Sequence, residues 1–150
     1  MPTSKPLPAV ADLLPHTGVA RLLTEVLDIS TTAIRGTGRI PAGHPLARGG
    51  AAPSLLAVEI GAQAAAAMEA IGRPGAPHAA PEPQAGSLVR IREATFAQSS
   101  LPVETPLEVT AELIGSAPPL AMYRVRVTLQ ASVVVEATIS TYSGPHGRSA

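Results

Sequence analysis

The chain has 150 residues, and its eleven basic and eleven acidic side chains give a formal net charge of zero. This neutrality gives no support to nucleic-acid binding or to a strongly acidic partner, and the length is that of a single domain. The absence of cysteine excludes disulfides and thiolate metal sites. Prolines interrupt the N-terminus, which lacks a signal-peptide pattern, so we expect a cytoplasmic protein.

The first part of the chain predicts two strands followed by a loop. Residues 1–12 are rich in proline and small side chains, and we expect them to form a loose lead-in. Aliphatic and β-branched residues predict strands within 22–29 and 31–40. Residues 41–50 are dense in glycine and proline, which indicates a loop.

Residues 53–71 predict a long buried helix. Pro53 suits a first helical turn, and a Gly-Arg-Pro run from position 72 ends the pattern. The fourteen residues from position 55 include only two polar side chains, Glu59 and Gln63, and a helix apolar on all sides is typical of a core. A bilayer requires about 20 such residues, so we expect no membrane span.

The two polar positions of this fourteen-residue run are candidates for chemistry. Glu59 and Gln63 are four residues apart and therefore share one helix face. A lone carboxylate in an apolar helix is costly unless it is paired, protonated or used. Glu59 is thus either a structural carboxylate held by backbone N–H groups or an arginine, or a catalytic acid. An amide has no useful acid–base range, so Gln63 is expected to orient rather than react.

The second half of the chain predicts a sheet. Residues 73–85 combine proline, alanine and glycine without periodicity and are expected to be a mobile connector. Strands are expected at 87–96, 107–114, 121–129 and 133–142, and a loose tail at 143–150. Side chains of 87–96 are expected to alternate, with Leu88, Arg90 and Arg92 on one side and Val89 and Ile91 on the other. One helix wrapped by a curved antiparallel sheet satisfies this order of elements, which predicts an α+β fold in one domain over residues 1–150. One small sheet cannot cover a helix that is apolar on every side, so we also expect a dimer with a continuous sheet.

Four arginines alternate along two of the predicted strands: Arg90, Arg92, Arg124 and Arg126. The simple interpretation is a solvated sheet face. The alternative is a docking surface for an acidic partner or a phosphate group. Among the histidines, His16 is expected to hold an entry loop by hydrogen bonding, and neither His78 nor His146 is assigned a role.

Several motifs resemble those of the hotdog-fold β-hydroxyacyl-acyl-carrier-protein dehydratases, over residues 13–142. They are Leu14-Pro15-His16, Gly43-His44-Pro45, the Pro53 helix with Val58-Glu59 and Ala62-Gln63, and then Phe96, Pro102-Val103 and Leu107. His44 lies 15 residues before Glu59 and lacks the Phe-Pro-Gly that follows this histidine in housekeeping fatty-acid dehydratases. Spacing and loop are more similar to the divergent branch of aryl-polyene and related polyketide clusters.

The resemblance implies dehydration of a 3-hydroxyacyl thioester on an acyl carrier protein to the trans-2-enoyl thioester. His44 would be the base and Glu59 the acid, contributed by opposite subunits, with an acyl tunnel along the helix. A free backbone N–H at the helix start, from Ser54 (where the family has glycine) or a neighbour, would stabilise the thioester oxygen, and Gln63 would orient the site. The four arginines (Arg90, Arg92, Arg124 and Arg126) would be candidates for docking the acidic carrier protein or the phosphate of its pantetheine arm. No metal is implied, and no cofactor beyond the phosphopantetheine of the carrier.

Two other functions stay open. One is a non-catalytic hotdog subunit that stabilises an active partner in a heterodimeric dehydratase. The other is a hotdog acyl thioesterase, in which an acidic residue on the same helix activates water. The presence of both His44 and Glu59 favours the dehydratase, because a thioesterase has less need of a histidine before the helix. The sequence does not decide between a homodimer and a heterodimer with a related hotdog subunit.

Overall fold

A computed structural model describes residues 6–72 and 87–142. Its helices are α1 (Val10–Leu13) and α2 (Leu55–Gly72), and a 3₁₀ turn covers Gly18–Ala20. Its strands are β1 (Leu23–Ile29), β2 (Ala33–Gly38), β3 (Ala51–Pro53), β4 (Ser87–Phe96), β5 (Ser100–Pro102), β6 (Leu107–Ala117), β7 (Leu120–Leu129) and β8 (Ser132–Tyr142). The six strands expected from periodicity are therefore present.

Six of these strands form one antiparallel sheet in the order β1-β2-β6-β7-β8-β4. The short strands β3 and β5 pair separately, antiparallel, beside the start of α2. Helix α2 packs on one face of the large sheet, against β1, β2, β6, β7 and β8. The predicted α+β arrangement, one long helix wrapped by an antiparallel sheet, is confirmed.

Small side chains let α2 approach the sheet closely. Ala57, Ala64, Ala65 and Ala67 of the helix are fully buried. A Cβ added at Gly61 would overlap the side chain of Val125 on β7, so this position requires glycine. The close approach fixes the height of α2 above the sheet, and with it the positions of the two polar side chains on either side of Gly61.

Strand β4 forms one edge of the sheet, and its side chains do not alternate as expected. Irregularities in its pairing with β8 lie between Leu88 and Arg90 and between Arg92 and Thr95. Leu88 and Ile91 consequently pair with the buried residues Thr141 and Ile139 and share the helix-facing side of the sheet, instead of lying on opposite sides. The sequence alternation was misleading because a bulge shifts every side chain after it.

Other differences lie at the ends of elements. Helix α2 begins at Leu55 because Pro53 belongs to β3, where it pairs with Ser100. The lead-in expected to be loose up to residue 12 instead contains α1, whose Val10 is buried. Residues 1–5, the connector at 73–85 and the tail at 143–150 lie outside the described residues.

Helix α2 ends at Gly72 and is close in length to the helix predicted over residues 53–71. With 18 residues it is long and apolar enough to cross a membrane, and it is the one such helix in the described part of the chain. However, 61% of this stretch is buried inside the fold. A core helix enclosed by a sheet explains both its composition and its burial.

Candidate active site

The Gln63 side chain joins the helix to the strand that follows the entry segment. It is 1% exposed, and its Oε1 accepts hydrogen bonds from the N–H groups of Leu22 at 2.9 Å and Leu23 at 3.0 Å. Its Nε2 donates to the Ala20 carbonyl at 2.8 Å and to Glu59 Oε1 at 3.3 Å. Because a backbone N–H can only donate, the amide has one possible orientation, with its nitrogen toward Glu59.

Glu59 lies just over one turn inside α2 and is less buried than the apolar sequence around it suggested. Its side chain is 38% exposed. Oε1 faces two nitrogens, Gln63 Nε2 and His16 Nε2, the latter at 3.6 Å. Within the described residues, Oε2 has no hydrogen-bond partner. One carboxylate oxygen is therefore held by the protein and the other is available to a ligand.

The histidine beside Glu59 in this chain is His16. No hydrogen bond or ion pair joins His44 to Glu59 among the described residues. The Leu-Pro-His motif was the one sequence signal for His16, and local sequence could not show the contact, because it joins residues 43 positions apart. The segment assigned to the entry loop is therefore part of the site.

His44 lies half-buried in a loop whose backbone is held by the side chains of Glu104 and Arg48. The Glu104 carboxylate accepts a 2.7 Å hydrogen bond from the Ala42 N–H, and the Arg48 guanidinium donates to two loop carbonyls. His44 Nδ1 accepts a hydrogen bond from the Leu46 N–H at 3.1 Å. Nδ1 therefore carries a lone pair here, and the single proton of the neutral ring lies on Nε2. In this arrangement Nε2 is a donor and not a base.

Ser54 fastens the start of α2 to the β4–β5 turn. Its N–H donates to the Ser99 carbonyl at 3.0 Å, and its hydroxyl donates to the Gln98 carbonyl at 2.5 Å. The expectation of a free Ser54 N–H is therefore wrong, because the pairing of β3 with β5 brings that turn against it. The N–H groups of Leu55 and Leu56, at the positive end of the helix, have no hydrogen-bond partner among the described residues.

The four arginines lie on the sheet face opposite α2. Arg124 and Arg126 alternate on β7 with buried residues that face the helix, and β4 presents Arg90 and Arg92 opposite outward residues of β8. Arg126 forms an ion pair with Glu136 at 2.8 Å. The other three form no ion pair within the described residues. None of the four arginines lies on the helix side of the sheet with Glu59.

A second polar cluster lies toward the other end of α2. Glu69 Oε1 accepts hydrogen bonds from the Tyr123 hydroxyl at 2.9 Å and the Thr141 hydroxyl at 2.8 Å. Burial, and then the charge and hydrogen bond of Glu69, raise the pKa of Tyr123 far above its usual value of 10. In the described ranges, no three histidine or acidic side chains come together as a metal site.

A long core helix that carries an acidic residue and packs on an antiparallel sheet defines a hotdog-fold protein. Solved structures with this architecture match the chain. They include the dehydratase heterocomplex ApeI:P from Xenorhabdus doucetiae, with 19% identity, 91% coverage of both chains and a TM-score of 0.79. Cj0977, a virulence protein of Campylobacter jejuni, has 13% identity, coverages of 91% and 96%, and a TM-score of 0.65. A hypothetical thioesterase from Streptococcus pneumoniae with coenzyme A has 13% identity, coverages of 81% and 86%, and a TM-score of 0.58.

The family is shown by sequence. The model of the ApeP-like family, described as ApeP dehydratase, matches residues 8–149, nearly the entire chain. The chain therefore belongs to the ApeP-like dehydratase family, which confirms the resemblance found in its motifs. No curated protein matches the sequence.

Proposed function

We propose that this chain is a subunit of a dehydratase that converts a 3-hydroxyacyl thioester on a cytoplasmic acyl carrier protein to the trans-2-enoyl thioester. The observation that carries the proposal is Glu59: a partly exposed carboxyl on a core helix that is apolar except for Gln63 and Glu69, in a member of a dehydratase family. The reaction takes a proton from C2 and releases the C3 hydroxyl as water. It needs no cofactor beyond the phosphopantetheine that carries the acyl chain.

Glu59 is the proposed acid. With Gln63 and His16 both facing Oε1, a neutral carboxyl carries its proton on Oε2, the oxygen open to substrate. This proton passes to the C3 hydroxyl as the C–O bond breaks. General acid catalysis of this kind contributes about 100- to 10,000-fold to the rate.

His44 is the proposed base, supplied to the site by a partner subunit. For Nε2 to accept the C2 proton, the ring must carry its other proton on Nδ1. The hydrogen bond from the Leu46 N–H to Nδ1 must then break when the subunits assemble or the substrate binds. After each turnover the proton on His44 must return to Glu59.

The third requirement of the reaction is stabilisation of the negative charge that develops on the thioester oxygen. We assign its stabilisation to the N–H groups of Leu55 and Leu56 instead of Ser54, whose N–H is occupied by Ser99. One such donor is worth about 100- to 1000-fold in rate in comparable sites. Leu55 is also 57% exposed, so the helix start is open to an incoming thioester.

Exposed apolar side chains on the edge strand β4 support the proposal of a dimer. Ile91 and Phe96 pair with the buried residues Ile139 and Val135, yet about 40% of each side chain is exposed because no strand lies beyond them. A second hotdog subunit pairing along β4 would cover them. The matched Xenorhabdus structure is a heterocomplex. We propose that the partner is a second hotdog subunit, either another copy of this chain, which would supply His44, or a related chain.

A non-catalytic subunit is the second candidate, and two observations favour it. His44 Nε2 carries a proton in this chain, and the N–H of Ser54 is occupied. Both features suit a subunit that stabilises an active partner without completing the reaction itself. The two candidates differ in whether Glu59 and His44 are needed for turnover.

We propose that the carrier protein docks near the arginines at the edge of the sheet. Of the four arginines, Arg90 and Arg92 lie on the edge strand, where a carrier could reach around toward the helix side, whereas Arg126 is tied to Glu136. Reversing both charges (Arg90→Glu with Arg92→Glu) should raise KM for the carrier-bound substrate without lowering kcat. Arg124→Glu, on an interior strand of the same face, is the matched control.

The decisive experiment is incubation with 3-hydroxybutyryl acyl carrier protein, read by intact mass. Loss of one water supports dehydration, and release of the acyl group supports a thioesterase. Glu59→Gln, nearly isosteric, and His44→Ala should each abolish the water loss while the fold is kept. A protein that is inactive alone, but raises the activity of a hotdog partner equally well with either substitution, would establish the non-catalytic role.

Mixing tests whether the pair is shared between subunits. If the chain forms homodimers, equal amounts of the two inactive variants, unfolded and refolded together, should recover about a quarter of wild-type activity through random pairing. Half of the dimers are mixed, and each mixed dimer has one intact site. No recovery, with both variants dimeric, would place His44 and Glu59 in one chain or leave one of them without a catalytic role.

A further inference from the structure

In the acid–base scheme above, His16 neither gives nor takes a proton, although it lies beside the proposed acid Glu59. Nε2 lies 3.6 Å from Oε1, and the imidazole and carboxylate side chains are 28% and 38% exposed. This separation is too long for a hydrogen bond and within ion-pair range. Contacts of this kind in active sites without substrate often tighten when substrate binds.

The fold holds His16 from both sides. Leu13 and Leu14, just before it, are buried in the core. After it, Gln63 binds the backbone of residues 20–23 through three hydrogen bonds. The imidazole is therefore carried by a segment fastened to the same helix face as Glu59, and its position relative to the carboxyl is set by the fold.

The protonation of His16 follows from its surroundings. Nδ1 is buried and has no hydrogen-bond partner among the described residues. An N–H at that position would be a buried donor without an acceptor, which is unfavourable. The neutral ring therefore carries its proton on Nε2, where it points to a carboxylate oxygen that can only accept.

We propose that His16 is a positioning residue for Glu59. Its Nε2–H and the Gln63 amide converge on Oε1, which places the acid's own proton on Oε2 and turns that oxygen toward the C3 hydroxyl. The proposal rests on the dehydratase function. It assigns His16 to hydrogen-bond donation and not to proton transfer, so an uncharged donor at the same position can replace it.

Two substitutions of His16 distinguish hydrogen-bond donation by its side chain from simple packing. The amide nitrogen of His16→Gln reaches the position of Nε2, whereas that of His16→Asn reaches only the position of Nδ1. We expect His16→Asn to lower kcat on the order of 10- to 100-fold with KM nearly unchanged, as misplacement of a reacting group does. His16→Gln should keep most of the activity. Equal losses in two folded variants would overturn the proposal.

A labelling experiment tests the contact without relying on turnover. Carbodiimide with an amine nucleophile modifies accessible carboxyl groups, and peptide mass mapping gives the rate at Glu59. We expect His16→Asn to accelerate this modification severalfold over wild type and His16→Gln, with exposed Glu25 as an internal control that stays constant. An unchanged rate at Glu59 would refute the contact. Accelerated labelling in a protein that dehydrates nothing would retain the contact and remove the dehydratase assignment.

Discussion

Replacing Gln63 with methionine removes the polar connection between α2 and β1 while keeping the length of the side chain. The N–H groups of Leu22 and Leu23, residues that are 1% and 0% exposed, then lose their acceptor. Each buried N–H left without a partner costs about 1–3 kcal/mol, or about 2–6 kcal/mol for the two. Burying a thioether in place of an amide offsets part of this, so we expect a net loss of about 1–4 kcal/mol.

Urea unfolding followed by circular dichroism measures this loss, which is a large fraction of the about 5–15 kcal/mol typical of a domain. Gln98→Met is the control, because only the backbone carbonyl of Gln98 is used by the fold and its side chain is exposed. A control within about 0.5 kcal/mol of wild type is expected for a surface change. If Gln63→Met were equally silent, the two N–H groups would have found water or another acceptor, and the reasoning would be wrong.

Three further outcomes are expected. Gly61→Ala should destabilise the fold by about 1–3 kcal/mol in urea, since its methyl group overlaps Val125, and no loss would mean that the helix lifts freely from β7. The raised pKa of Tyr123 keeps its hydroxyl protonated in the folded state, whereas an unfolded tyrosine ionises near pH 10. Stability should therefore decline as pH rises through about 10, and less steeply in Tyr123→Phe, as monitored by unfolding at several pH values. Ile91→Lys should shift the assembly toward monomer in light scattering, and a wild type that is itself monomeric at micromolar concentration would contradict pairing along β4.

Local sequence patterns predicted most of the architecture. Aliphatic, β-branched and alternating side chains located the six strands of the large sheet, and the apolar run located α2, because these signals arise within one element. The same run drew attention to Glu59 and Gln63 as its two polar positions. Family motifs within the chain were sufficient to indicate a hotdog dehydratase, which the family match over residues 8–149 confirms.

The ends of helices and strands could not be predicted from the sequence pattern, because pairing with neighbouring strands determines them. Pro53 has the local chemistry of a helix start, but its pairing with Ser100 makes it the last residue of β3. The bulge after Leu88 is invisible in an alternating sequence, yet it decides which side chains of the edge strand face the helix. Such features depend on the partner strand and not on the segment itself.

The surroundings of the site were decided by tertiary structure alone. The sequence by itself determined that Glu59 would occupy an apolar core helix, with Gln63 one turn further along. It could not place His16 beside Glu59, because that contact requires Gln63 to bind the backbone of residues 20–23, about 40 positions away. Nor could it show that the N–H of Ser54 is occupied by Ser99. Hydrogen bonds between distant segments leave no periodicity in a sequence, so only the folded chain reveals which groups are already satisfied and which are free for substrate.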